Sequence, residues 1–357
     1  MATNPTSIDT TRPLLLLDGM SLAFRAYFAL PPDLVTTTGI VTNAVHGFSS
    51  MLVNLVRDHQ PSGLAVAFDL PGDTFRDDVV DDYKAGRAET PNDLLPQFDM
   101  IRALLGVLAI PVVDAVGYEA DDVIATLATE ARDRGQTVVI VTGDRDAYQL
   151  VEDPFVRVLY NRRGVSDYVL YDEAGIEERT GVTPEKYPLL ASLRGDPSDN
   201  LPGVPGVGEK TAAKLVNEYG DLESLYDHLD ALSPKLRENL AANLERVRMN
   251  ARVIPLIRDV PLGTTIDQLQ LGGWDTEEAR ALFAEFELKT VWPRLLTVMH
   301  DGLLGPSRPG GEPSVDVSTP VSGPDAAPVG DQPAWLASPE IVVPEDTAAA
   351  VAGLETM

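Results

Sequence analysis

The sequence predicts an α/β protein, a central and mostly parallel sheet with flanking helices, followed by a helical subdomain. Three apolar runs carry the sheet: LLLL at 14–17, LAVAF at 64–68 and VVIV at 138–141. Each is too short for a helix and too continuously apolar for a strand with one wet face, so each reads as a strand buried on both sides. Helical periods lie between them. Residues 43–59 align Val45, Phe48, Leu52, Leu55 and Val56, and residues 121–134 align Ile124, Leu127, Ala128 and Ala131. Strands that alternate with such helices are joined by crossovers, which makes neighbouring strands parallel.

The α/β core is expected over 12–183. Within it, residues 70–95 lack periodicity and contain Pro71, Gly72, Gly86 and Pro91, which reads as a mobile, partly helical excursion above the sheet. From 184 to 300 short helical segments alternate with Pro/Gly turns, the pattern of a helical subdomain. Residues 301–357 hold nine of the 28 prolines and read as a disordered linker or tail.

Composition narrows the chemistry. No run of eighteen apolar residues occurs and the start is mostly polar, so a cytoplasmic protein with neither membrane span nor secretory signal is expected. With no Cys and only four His, any metal is held mainly by oxygen, which favours Mg²⁺ or Mn²⁺. The 28 basic and 55 acidic residues give a net charge of −27, which argues against a nucleic-acid partner unless local arrangement overrides it.

Local arrangement is where the acids become informative. Each apolar run leads to a carboxylate: Asp18, Asp69, and Asp144 with Asp146 in TGDRD. Glu119, Asp121 and Asp122 open the helix before the third strand, and Asp196 and Asp199 precede a Gly-rich turn. Taken singly, each is a turn residue or a helix cap. Together they are nine acids directed at the C-terminal edge of one parallel sheet, where ligands bind, and they would repel one another without cations. Two divalent ions answer that repulsion and suit metal-assisted phosphodiester hydrolysis.

The stretch LPGVPGVGEKTAAK, 201–214, is not a phosphate-binding P-loop: Glu209 intrudes before Lys210 and Thr211, and no strand precedes it. It reads as the turn of a helix-hairpin-helix. Gly203, Gly206 and Gly208 would let backbone approach a phosphate, the helix N-terminus would offer N–H groups, and Lys210 and Lys214 would add charge.

These motifs, taken in order, resemble the 5′ nuclease domains of the flap endonuclease family, of the kind found at the N-terminus of bacterial DNA polymerase I. The resemblance runs through LLDGMSLAFRA, TNAVHGF, AFD, TFR, YKAGR, GYEADD, TGDRD and LRGDPSDNLPGV, from about residue 14 to about 296. It implies a PIN-like 5′ nuclease fold and a metal site for two Mg²⁺, with Mn²⁺ able to substitute. Asp18, Asp69, Glu119 and Asp121 would face one ion, Asp144, Asp146, Asp196 and Asp199 the other, and Asp122 would support them. Residues 70–95 would form the family's arch, with Lys84 and Arg87 on the scissile phosphate and Arg25 and Arg76 on DNA nearby. A K⁺ would sit at the hairpin.

The expected activity is a structure-selective 5′-3′ exonuclease and 5′-flap endonuclease in primer removal and DNA repair, acting as a monomer on DNA with flaps, nicks or RNA primers. A polymerase would act in cis in a longer parent chain or in trans, and no polymerase activity is expected from these residues. The rivals are a non-catalytic branched-DNA-binding module and a metal-dependent ribonuclease.

Overall fold

The computed structural model describes residues 12–308. The sheet has six strands: β1 (Leu14–Asp18), β2 (Gly63–Ala67), β3 (Val112–Val113), β4 (Val138–Thr142), β5 (Val156–Arg163) and β6 (Asp167–Tyr171). Their order is β3-β2-β1-β4-β5-β6, with every pair parallel except β5 with β6. The three expected strands are the central ones. The chain leaves β1 toward β2 on one side and later returns to β4 on the other, so the sheet's topological switch point, where crevices open in such folds, lies between β1 and β4.

Helices cover both faces. They are α1 (Gly19–Ala29), α2 (Asn43–His59), α3 (Leu95–Val107), α4 (Ala120–Asp133), α5 (Glu173–Thr180), α6 (Tyr187–Arg194) and α7 (Glu209–Tyr219). After them come α8 (Leu222–Asp227), α9 (Pro234–Ala242), α10 (Leu244–Val253), α11 (Thr276–Glu285) and α12 (Trp292–His300). Alternation along the strands sorts the core into two. Leu15, Leu17, Val66 and Val141 pack with α1, α2 and α3, while Leu16, Ala65 and Ile140 pack with α4 and with residues of α6 and α7. Burial on both faces is why these strands lack polar alternation. No helix among the described residues is long and apolar enough to cross a membrane.

Within the helical segment that follows 184, Tyr187, Leu215 and Val247 join the core on the α4 face, and Phe283, Val291 and Leu295 join the core on the α2 face. Two expectations need correction. The linker does not begin at 301, because Leu304 is buried and the Trp274 indole donates to the carbonyls of Leu304 and Gly305, both at 3.1 Å. The remainder of the expected tail, 309–357, lies outside the described residues. The excursion 70–95 contains no helix before α3 and is held down by buried Arg76, Val80 and Tyr83.

Between α6 and α7 the chain forms a two-residue strand pair, β7 (Gly195–Asp196) with β8 (Leu201–Pro202), and then the turn 203–208. Its glycines play unequal parts. Gly195 and Gly203 let two backbone segments touch: a Cβ on Gly203 would lie 1.9 Å from the Arg194 carbonyl oxygen. Gly203 is therefore a packing residue rather than a phosphate contact. Gly206 turns with φ +80°, and Gly208, exposed with open space around its Cα, caps α7. Gly203→Ala should cost about 3 kcal/mol by forced backbone separation, and Gly208→Ala about 1 kcal/mol or less; chemical denaturation of the two variants side by side checks the contrast.

Candidate active site

The C-terminal ends of β1, β2 and β4, the start of α4 and the β7–β8 connection deliver the carboxylates to one place. Asp18 ends β1 and caps α1, accepting the Ser21 N–H at 2.9 Å with one oxygen and the Thr142 hydroxyl, from the end of β4, at 2.8 Å with the other. Asp69 accepts the Ala120 N–H at 2.7 Å, which ties the end of β2 to the start of α4. Asp144 accepts the Asp146 N–H at 2.7 Å, and Asp196 accepts both the N–H and the hydroxyl of Ser198. These donors hold the carboxylates in place; they do not neutralise them.

The electrostatics show the crowding. Burial, opposed by the Ser21 and Thr142 hydrogen bonds and aided by Asp69, pushes the Asp18 carboxyl up to about 6. Asp121 is raised well above the usual range by burial and then by Asp144, Asp18, Asp69 and Glu119. Asp144 and Asp146 are raised by burial and by each other's neighbourhood, in which Asp196 and Asp199 take part. The acids thus act on one another as a continuous set, Asp121 facing Asp144 as well as Asp18 and Asp69, and Asp199 acting on both Glu119 and Asp144.

The basic residues of the excursion lie across these groups. Lys84 Nζ is 2.7 Å from Glu119 Oε1, and Arg87 Nη2 is 2.6 Å from Asp199 Oδ1. Tyr83, which sequence reasoning passed over, donates its hydroxyl to Asp199 at 2.8 Å and approaches Glu119 at 3.4 Å. Its position immediately before Lys84 in YKAGR is the only sequence signal for it. Burial, Asp199 and Glu119 raise its pKa far above that of a free tyrosine.

Whether these residues suit metal ions can be judged from the donors. Every group is a carboxylate, the set that hard divalent cations take. Asp146 Oδ1 is buried with no hydrogen-bond partner, an acceptor for which a cation would be the natural complement. Among the described residues, no three carboxylates converge closely enough as they stand to hold an ion. Glu119 and Asp199 are turned toward Lys84 and Arg87, and Asp18, Asp69 and Asp196 toward local donors, so ion binding requires side-chain rotation.

Comparison with known proteins decides the relationship. Residues 13–181 match the 5′-3′ exonuclease N-terminal resolvase-like domain, and residues 182–277 match the 5′-3′ exonuclease C-terminal SAM fold. The chain belongs to the 5′-3′ exonuclease family. DNA polymerase I of Mycobacterium tuberculosis strain H37Rv is 48% identical over 333 residues, covering 93% of this chain and 36% of the relative, and that of Bacillus subtilis is 39% identical over 285 residues, covering 80% and 32%. The chain thus spans about a third of the length of these curated relatives. Among solved structures, the T5 D15 protein co-crystallised with metal ions aligns with TM-score 0.58 at 20% identity over 79% of this chain and 99% of that one. The catalytic core of Rad2 in complex with DNA aligns with TM-score 0.52 at 15% identity over 83% and 94%. Both share the fold.

Within this family member, three residues assigned from sequence are placed elsewhere. Asp122 is fully buried and accepts four donors: Arg76 Nη1 and Nη2 at 2.6 and 2.8 Å, the Glu119 N–H at 3.1 Å and the Ile257 N–H at 2.9 Å. No lone pair is left for a metal. Arg76, expected on DNA, is 2% exposed and also donates Nε to the Val253 carbonyl at 2.9 Å. Arg25, likewise expected on DNA, is 4% exposed and donates to the carbonyls of Asn161 and Arg162. Arg76 and Asp122 instead fasten the excursion to α4 and α10 beneath Glu119. Burial opposes the charge on Arg76, but Asp122 and Glu119 outweigh it and raise its pKa. Removing one member of such a buried pair strands the other, so Arg76→Ala should cost about 3–5 kcal/mol in urea unfolding. A DNA-contact role would instead leave the unfolding midpoint unchanged.

Proposed function

We propose that this chain is a metal-dependent, structure-selective 5′-3′ exonuclease and 5′-flap endonuclease acting on DNA with 5′ flaps, nicks or RNA primers, in primer removal and DNA repair. The observation that carries the reading is the gathering of eight carboxylates at the sheet's switch point with Lys84 and Arg87 laid across them. Asp18, Asp69, Glu119 and Asp121 would hold one Mg²⁺, and Asp144, Asp146, Asp196 and Asp199 the other, with Mn²⁺ as a substitute. Two such ions, when bound, supply the Lewis acidity that activates water and stabilises the leaving oxygen in an in-line displacement.

The protein's own part is placement and charge. The Ser21, Thr142, Ala120 and Ser198 donors fix where Asp18, Asp69 and Asp196 stand, and ion binding turns their carboxylates from these donors toward the metal. Lys84 and Arg87 are the catalytic cations: exchanging their carboxylate partners for the scissile phosphate puts their N–H groups where negative charge develops. On the other side of the β7–β8 connection, Lys210, Lys214 and the turn at Gly206 and Gly208 are exposed at the start of α7. A helix N-terminus flanked by lysines suits a duplex phosphate, with K⁺ at the turn as a further counter-charge. Contacts of that kind position a duplex without reading its bases, which fits selection by structure. The protein would act as a monomer, with a polymerase in cis in a longer parent chain or in trans.

The test is cleavage of an end-labelled 5′-flap duplex. Wild type should cut near the junction in Mg²⁺ and not at all in EDTA, and Lys84→Ala should lose about 10²–10³ in kcat, the usual cost of one charge-stabilising donor. Flap binding without cleavage in either Mg²⁺ or Mn²⁺ would sink the nuclease reading, and preference for single-stranded RNA would redirect it to a ribonuclease.

A further inference from the structure

The second carboxylate group is assembled from two separate pieces of chain. Asp144 and Asp146 stand on the loop after β4, while Asp196 and Asp199 stand on the connection from α6 to α7. Like charges on facing segments push them apart. Something other than the carboxylates has to keep the pieces together.

We infer that Arg145 is a positioning residue that does this through Glu209. Arg145 lies between Asp144 and Asp146 in sequence, yet its guanidinium turns to the far side and meets Glu209, with Nη2 2.5 Å from Oε1. The Arg145 side chain is 14% exposed and that of Glu209 36%, so water screens the pair in part, from the Glu209 side. The guanidinium carbon lies 5.9 Å from the Tyr148 ring centroid, on the short helical turn that follows the loop. Glu209 is the first residue of α7, directly after the turn at Gly206 and Gly208. An acid at that position is favourable to the helix dipole by itself. Its reach to Arg145 adds a connection the dipole does not require.

The consequence is a rigid link between the surface proposed to hold duplex and the carboxylates proposed to hold the second ion. With the pair intact, the β4 loop and the α6–α7 connection keep a fixed spacing. With it broken, Asp144 and Asp146 recede from Asp196 and Asp199, and the ion they share is held more weakly. This rests on the metal reading of the site given above.

The experiment is Mn²⁺ binding to the whole chain without DNA, followed by electron paramagnetic resonance, in wild type, Glu209→Gln and the exchanged pair Arg145→Glu/Glu209→Arg. Flap-DNA KM and kcat and the melting temperature are measured on the same samples. Glu209→Gln should weaken the looser Mn²⁺ by about fivefold or more, the low end of typical coupling between sites, and lower kcat at limiting metal, with melting temperature and KM unchanged. The exchanged pair should recover at least part of the Mn²⁺ affinity. If Glu209→Gln raises KM and leaves Mn²⁺ binding at the wild-type level, Glu209 serves the duplex alone and the inference is overturned. A loss of Mn²⁺ affinity that follows a fall in melting temperature, with no recovery in the exchanged pair, also overturns it by reducing the pair to a structural one. Wild type that binds no Mn²⁺ refutes the metal reading itself, a result distinct from either.

Discussion

Mutual repulsion among crowded, partly buried carboxylates is the constraint around which the rest of this molecule is organised. Of the acids at and beside the strand ends, Asp18, Glu119 and Asp196 are buried and Asp69, Asp121, Asp144, Asp146 and Asp199 half-buried, so water screens their repulsion only in part. The raised carboxyl pKa values of Asp18, Asp121, Asp144 and Asp146 reflect that crowding together with burial. Asp18 titrates near 6 in the folded chain against an ordinary 3.8, so between those values the folded state binds more protons than the unfolded one. Stability from this group is therefore present at low pH and lost as pH rises through about 6, which makes it a liability at neutral pH. A fold that keeps several such groups together has given up stability for a site that attracts cations.

Two kinds of fastening offset that liability. Beneath the site, the Arg76–Asp122 pair ties the excursion 70–95 to the start of α4, so Tyr83, Lys84 and Arg87 arrive at the acids from a fixed base. Beside it, the touching backbones of Gly195 and Gly203 set the path of the connection that carries Asp196 and Asp199. The apolar core on both faces of the sheet supplies the rigidity that lets these few polar contacts hold so many like charges in place.

Much of this was legible in the sequence because it is written in local patterns. Continuous apolar runs marked β1, β2 and β4, helical period marked α2 and α4 to within a residue, and strand-end acids marked the edge where carboxylates gather. The antiparallel β6 and the crossing of α11 and α12 to the opposite face were not legible, since both depend on long-range packing. The arginines show the same limit more sharply. Arg76 and Lys84 look alike as isolated basic residues in one segment, and only a partner 46 residues away determines that Arg76 is buried while Lys84 faces the acids. Asp122 likewise sits beside the proposed ligands Glu119 and Asp121 in GYEADD, but on a helix the adjacent position points inward. For Gly203 the residue type was informative and the reason was not: its small size serves another strand of the same chain.

The most direct test of the central claim, that the gathered carboxylates hold two divalent cations, is anomalous X-ray scattering from crystals soaked in Mn²⁺. The account predicts two peaks at the switch-point edge of the sheet, one bounded by Asp18, Asp69, Glu119 and Asp121 and one by Asp144, Asp146, Asp196 and Asp199, with Asp122 still paired to Arg76. A well-ordered, Mn²⁺-soaked crystal with no peak at that edge, or with Asp122 released from Arg76 to bind the ion, would contradict it.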